Sequence, residues 1–383
     1  MDFTLPPEIE DVRLRTRRFV EEHVLPLEAD RANYDDHENI HLDVLRTVQT
    51  KAKAAGLWAP QAPKEYGGMA LPIVGWAVMY EEANRSIFGP PAFNCQAPDD
   101  GNMNLLALTG TPAQKDKWLP AIASGRARMT AALLEEHLDW DPASTTASAT
   151  KSGSGWILSG VKRFVPWAHV ADAILVPARS AEGLSLFLLD PKSVGVTLSP
   201  MKGIDLSNRW SEMRLDKVAV GAEAIMSQPG GAASVLESLL RRAAVCASAE
   251  MLGAARRCLD MSVEYVKVRE QFGQPIGSFQ AIRHRCAEML LEAENAHAAV
   301  YYAAWALTAG AEDAAVASSI CKSYVNEAAR RVCGDSIQVH GGIGFTWEYD
   351  LHLYMKRAKA LEPLYGDTEY HRELITRHAI SAR

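Results

Sequence analysis

Two short stretches hold residue types whose spacing suits the grip of an anion. In VREQFGQPIGSFQAIRHR, residues 268–285, Arg269 ends a long helical pattern. Phe272, Gly273, Pro275 and Gly277 then form an irregular turn, and Ser278 is the expected cap of the next helix. A guanidinium beside a glycine turn and a fresh helix N-terminus can hold a pyrophosphate, and a neighbouring aromatic ring can stack on a base. In QVHGGIGFTWEYDLHLYMKRAK, residues 338–359, Gly341, Gly342 and Gly344 permit a ligand to approach the backbone closely. That glycine run follows a helix, not a strand, so it is no dinucleotide-binding fingerprint. Taken singly, each stretch also reads as an ordinary helix–helix connection. A third stretch, LYGDTEYHREL, residues 364–374, carries Asp367 and Glu369. These are either carboxylates available as bases or the N-cap and first-turn acid of the helix that follows.

The elements that must position these residues fall into three blocks. Residues 1–125 read as helices: PPEIEDVRLRTRRFVEEHVLPLEADR keeps an apolar stripe at Val12, Phe19, Val20 and Val24, and HLDVLRTVQTKAKAAGL and PIVGWAVMYEEANRS repeat the pattern. Residues 126–227 break into short valine-, leucine- and isoleucine-rich runs, among them GWILSGVKRFVP, ADAILVPARS, LSLFLLD and RWSEMRLDKVAV. They read as strands of an antiparallel barrel or sandwich, with KSGSGW, residues 151–156, as a hairpin turn. Residues 228–383 return to helix, beginning with one of unusual length that belongs in a bundle. The fold class is therefore mainly α with a β middle domain.

Composition narrows the partners. The 383 residues are 48% apolar and 23% charged, with a net charge of −7 and no long basic run. That argues against nucleic acid as the main partner. No apolar run approaches the about 20 residues of a membrane span. The six cysteines form no CxxC pair and no ligand cluster with histidine, so they read as buried free thiols in a reducing, cytoplasmic compartment, and no metal site is expected.

Taken together, the first two stretches in a helix–β–helix chain of this length resemble the acyl-CoA dehydrogenase family of flavoproteins. The resemblance covers essentially the whole chain, and FNCQAPDDGNM, residues 93–103, resembles one subgroup. It implies an N-terminal helical domain, a β-barrel-like middle domain and a C-terminal four-helix bundle, usually as a tetramer. It also implies FAD held between the last two domains and completed by a neighbouring subunit. The implied reaction removes a proton from Cα and a hydride from Cβ of an acyl-CoA in lipid metabolism, a glutamate taking the proton. Electrons pass on to an electron-transfer flavoprotein.

The resemblance carries over residue by residue. Arg269 and Phe272 match the segment whose arginine meets the FAD diphosphate and whose aromatic lies by the adenine half. Gln338, Gly341 and Gly342 match a second FAD-lining segment, and both contacts are largely given to the partner subunit's cofactor. Phe164 is expected to pack on the flavin ring system, and Glu369 is placed with the cofactor-lining residues. Departures are equally specific. In LLEEHLDWDPASTT, residues 133–146, Leu134 and Glu136 replace the family's threonine and proline. Pro166 replaces a threonine and offers neither hydroxyl nor N–H. A gap-free match puts Tyr365 where the family's catalytic glutamate stands, and the alternative base position falls at Ala243. The remaining candidates for the base are Asp367 and, more weakly, Glu237 and Tyr365.

Three functions follow as alternatives. One is a working dehydrogenase with a relocated base, as a homo-oligomer. A second is a half-site subunit of a heterotetramer acting on bulky, steroid-type CoA thioesters. A third is a same-fold flavin monooxygenase or non-oxidative acyl-CoA enzyme.

Overall fold

The computed structural model describes residues 4–36, 39–95, 101–205, 207–226 and 228–381. Residues 96–100 of the FNCQAPDDGNM stretch read above lie outside them. The chain divides into two compact units. One contains residues 1–55, 72–93 and 241–383; the other contains residues 56–71 and 94–240.

In chain order the helices are α1 (Pro7–Phe19), α2 (Leu25–Ala29), α3 (Leu42–Ala54), α4 (Ile73–Ala83), α5 (Gly89–Ala92), α6 (Asn102–Thr109) and α7 (Pro112–Ala123). The strands β1 (Met129–Ala131), β2 (Ser148–Ser152), β3 (Gly155–Pro166), β4 (Ala173–Ser180), β5 (Gly183–Leu189), β6 (Val196–Met201) and β7 (Trp210–Val220) follow. Then come α8 (Ala233–Val268), the two-residue strands β8 (Glu270–Gln271) and β9 (Gln274–Pro275), α9 (Gln280–Ala309), α10 (Ala314–His340), α11 (Leu351–Leu361) and α12 (Thr368–Ser381).

In the helical unit the stripe expected on α1 is buried, at Val12, Phe19, Val20 and Val24, the last two within a π-helical turn. Helix α4 is buried on nearly every side. Its two acids are therefore taken out of water and must be paired. Glu82 accepts from Arg17 Nε and Nη2 at 2.9 and 2.7 Å. Glu81 pairs with Arg256 of α8 at 2.7 Å and accepts from Tyr301 of α9 at 2.8 Å. Four helices are thus joined through one buried pair of carboxylates.

The other unit is built on one curled seven-stranded sheet in the order β1-β4-β2-β3-β7-β6, with β5 on β4. The hairpin of β2 and β3 turns at Gly153, φ 58°, where the sequence placed it. The expectation of a purely antiparallel sheet is corrected: β4 runs parallel to both β1 and β2. The reason is that β4 is covered on both faces. Ala173 and Leu175 face a core with Leu119 and Leu236, while Ile174, Val176 and Ala178 face a second core with Trp156 and Phe187. Burial on both faces is also why its sequence is an unbroken apolar run and lacks alternation.

A second correction concerns Ser278. It does not cap α9; the N-cap is Phe279, and Ser278 Oγ donates instead to Pro275 O at 2.7 Å. A 3-10 turn over Ile276–Ser278 intervenes and moves the helix start one residue on. The described cysteines form no disulfide, and Cys286 is only half-buried.

Candidate functional site

Arg269 follows the last residue of α8. Its backbone N–H donates to Tyr265 O at 2.9 Å, and its own carbonyl accepts from Ile276 N–H at 2.7 Å. That closes a tight hairpin of β8 and β9 whose two turn residues, Phe272 and Gly273, have φ of 54° and 79°. Positive φ at both central positions is the mark of a type I′ turn, which normally takes Asn-Gly. Phe272 occupies the strained position with 91% of its surface exposed, its ring edge-on to Phe279 at 6.0 Å between centroids. Neither burial nor turn chemistry explains an aromatic there. Arg269 is also exposed.

The glycine run opens where α10 ends at His340. Gly341 has φ 66° and ψ −141°, a conformation open to glycine. Gly344 is forced by packing, since a Cβ there would meet Ile337 O at 2.6 Å. Gly342 is neither: it is exposed, lacks positive φ, and an added Cβ would meet nothing within 4 Å. Gly334, half-buried and one helical turn before the exposed Gln338 on α10, likewise lacks positive φ and would meet nothing within 4 Å of an added Cβ. A glycine inside a long helix costs about 1 kcal/mol, a cost legible in the sequence at Gly334. Gly334, Gln338 and Gly342 leave open a strip of backbone that a ligand can approach.

The helix ends that lead into the hairpin and the glycine run meet at one end of the bundle. Tyr265, four residues before Arg269, stacks on His340 at 4.3 Å, and its hydroxyl donates to His340 O at 3.4 Å. Tyr349 closes the cluster 4.9 Å from His340. His340 Nδ1 lies 2.8 Å from Ser336 O and so carries the proton. Burial lowers the pKa of the ring below its usual value, which keeps it neutral.

The acids of residues 364–374 are elsewhere. Asp367 Oδ1 accepts from Tyr370 N–H at 2.8 Å, the N-cap geometry of α12. Exposed Glu369 pairs with Arg372 at 2.9 Å, and Arg372 pairs in turn with Glu327 at 2.8 Å. Tyr365, half-buried, has φ 61°. The segment is touched by Lys322 of α10, whose Nζ donates to Leu361 O at 3.0 Å and Glu362 O at 2.9 Å. Sixteen residues of α10 separate Lys322 from Gln338, a rise of about 24 Å. The structure therefore gathers Arg269, Phe272, Gln338, Gly341 and Gly342, and sets Tyr365, Asp367 and Glu369 apart from them.

Phe164 lies in the sheet unit, at a β-bulge of β3 against β7, with φ 50°. Its backbone N–H points to Met201 Sδ at 3.5 Å, and its ring meets Trp210 edge-on at 6.2 Å. Two residues earlier on β3, Lys162 forms a buried ion pair with Glu135 at 2.6 Å. Burial alone would raise the Glu135 carboxyl. The Lys162 charge and hydrogen bond, with the N–H and hydroxyl of Thr146, instead hold it down to about 2. This pair fastens the departing LLEEHLDWDPASTT segment to the strand that carries Phe164.

The relatives of the chain fit this arrangement. It matches Acyl-CoA dehydrogenase, N-terminal domain, over residues 6–126, the middle domain over 135–218, and the C-terminal domain over 230–380. A probable acyl-CoA dehydrogenase of Mycobacterium leprae is 29% identical over 387 residues, covering 98% of this chain and 96% of its own. The solved glutaryl-CoA dehydrogenase of Mycobacterium smegmatis is similar at a TM-score of 0.86 and 27% identity, covering 98% of this chain and 95% of its own. A chain of the Tcur3481-Tcur3483 steroid ACAD variant is similar at a TM-score of 0.84 and 27% identity, with 99% of each covered. The chain belongs to the acyl-CoA dehydrogenase family, flavoprotein oxidoreductases that act on CH–CH groups.

Proposed function

We propose that this chain takes part in FAD-dependent α,β-dehydrogenation of an acyl-CoA thioester, with electrons passed to an electron-transfer flavoprotein. The carrying observation is the exposed Arg269–Phe272 hairpin set against the bare Gly341–Gly342 backbone. An exposed guanidinium suits a diphosphate, an exposed ring suits an adenine face, and a glycine that packing does not require suits a cofactor lying on the main chain. Arg269, Phe272, Gln338, Gly341 and Gly342 are the residues that would hold the nucleotide half; Phe164 would pack on the ring system. The flavin, when bound, supplies the hydride acceptor.

A second reading is favoured by a specific pattern. The gripping residues are unspent on their own chain, while Asp367 serves as a helix cap, Tyr365 stands at the glutamate position and Pro166 has no N–H to give. This fits a subunit that completes the flavin site of a homologous partner in a heterotetramer for bulky CoA thioesters. The chain is to be purified alone and after co-expression with a homologous chain. A yellow homo-oligomer bleached anaerobically by an acyl-CoA supports the first reading. Colour that appears only with the partner supports the second. No flavin in either preparation overturns both.

A further inference from the structure

Lys322 has no exposed surface. Its three ammonium hydrogens meet three acceptors: Asn326 Oδ1 at 2.5 Å, Leu361 O at 3.0 Å and Glu362 O at 2.9 Å. The two carbonyls close the C-terminal end of α11 and have no partner within their own helix. A cation at a helix C-terminus also lies in the favourable field of the helix. Burial works strongly against this ammonium and brings it down to about 7, opposed by Cys321, Glu362 and Asp367. An apolar side chain would fill the same space without that penalty but would take this donor from Glu362 O and leave Leu361 O with Leu364 N–H, at 3.2 Å, alone.

At the other end of the segment, His371 is buried on the first turn of α12, and its Nε2 lies 3.0 Å from Tyr365 O. A carbonyl only accepts, so Nε2 carries the hydrogen and Nδ1 does not. His371 also packs on Gly366, where a Cβ would meet Nε2 at 2.7 Å. Between these pins, Tyr365 and Gly366 have successive positive φ values of 61° and 106°. For tyrosine this backbone is unfavourable and persists only where the surroundings over-determine it.

We propose that Lys322 and His371 are positioning residues that clamp the two ends of the 362–367 segment and hold Tyr365 in its left-handed conformation at the acyl-CoA site. The proposal rests on the acyl-CoA reading above. The clamp sits about 24 Å along α10 from Gln338, so it acts on the substrate side and not on the nucleotide grip. Its charge state answers to the groups that face it: Cys321 and Asn326 on α10, Glu362 after α11, and Asp367 and His371 from the α12 side. Glu362 is itself paired with Lys359 at 3.2 Å and Arg330 at 3.8 Å. Asn326 Nδ2 is buried without a partner. When the ammonium becomes an amine, a flipped Asn326 amide can donate to its lone pair while two N–H groups still hold the carbonyls.

The test uses Lys322→Met, His371→Leu and His371→Gln in the full chain, with its partner chain if one is needed for flavin. The glutamine can still donate to Tyr365 O. Amide hydrogen exchange at residues 364–368 is expected to quicken about tenfold in Lys322→Met and His371→Leu, the scale of one lost hydrogen bond. His371→Gln restores it, and the amides of α8 and α10 stay protected. Flavin content stays at the wild-type level, while reduction of the flavin by acyl-CoA slows about tenfold, in kcat rather than KM. Unchanged exchange in both disruptive variants overturns the clamp. Faster exchange with unaltered acyl-CoA reduction overturns its role at the site. If the wild-type protein shows no flavin chemistry, the functional reading fails, and the exchange data still decide whether the clamp exists. Should Lys322→Met not fold, the His371 pair carries the test alone.

Discussion

At His371 a single imidazole is taken out of water and set near the Lys322 ammonium. Burial first, then that charge, lowers its proton affinity from a usual value of 6.5 to about 4, against the hydrogen bond to Tyr365 O and the Asp367 charge. Between these two values the unfolded chain binds a proton that the folded chain refuses, so stability rises with pH across that window and is lost as pH falls from 6.5 toward 4. Urea midpoints measured across this range are expected to fall steeply with acid in the wild type and less steeply in His371→Gln. The buried pair at Glu135 makes the complementary case. Removing the carboxylate alone, in Glu135→Leu, strands the Lys162 ammonium among apolar neighbours and is expected to cost about 3–5 kcal/mol in urea unfolding. The double change Glu135→Leu with Lys162→Met recovers most of that loss.

At the scale of elements, the glycine run separates two reasons for glycine. Gly341→Ala puts a Cβ on a backbone at φ 66° and is expected to lower stability by about 1 kcal/mol. Gly342→Ala meets no atom of the chain, so thermal unfolding is expected to stay within about 0.5 kcal/mol of wild type. Flavin content is nonetheless expected to drop, because the methyl occupies the space that the cofactor approaches. A Gly342→Ala protein with unchanged flavin content would remove that glycine from the site. The helices themselves were legible in the sequence, because an apolar stripe such as Val12–Phe19–Val20 is a local signal. Element ends were less so: the cap expected at Ser278 moved to Phe279, since the serine hydroxyl found Pro275 O first. Strand direction was not legible at all. A run buried on both faces, like Ala173–Ala178, carries no mark of whether its neighbour is parallel.

At the scale of the whole molecule, the proposed division of labour predicts where a mutation is felt. Gln338 stands about 24 Å along α10 from Lys322, which holds the segment of Tyr365. On the half-site reading, Arg269→Ala in this chain therefore strips flavin from the site built on the partner. Tyr365→Phe in this chain leaves that flavin in place. Flavin-to-protein ratios of the co-purified oligomer decide it, and full flavin content in the Arg269→Ala assembly would detach this arginine from the cofactor.

Residue identity and spacing marked Arg269, Phe272, Gly341 and Gly342 as candidates for holding an anion, and the family resemblance added Gln338 and the match of Tyr365 to the glutamate position. These features are local along the chain, where neighbours are covalently assured. The packing of helices decided the rest: the stacking of Tyr265 on His340 that unites the grip, the commitment of Asp367 to a helix end, and the burial of Lys322 against carbonyls 39 and 40 residues away. Burial and long-range pairing arise from which faces meet in three dimensions, and no short window of sequence records which helix will cover a given lysine.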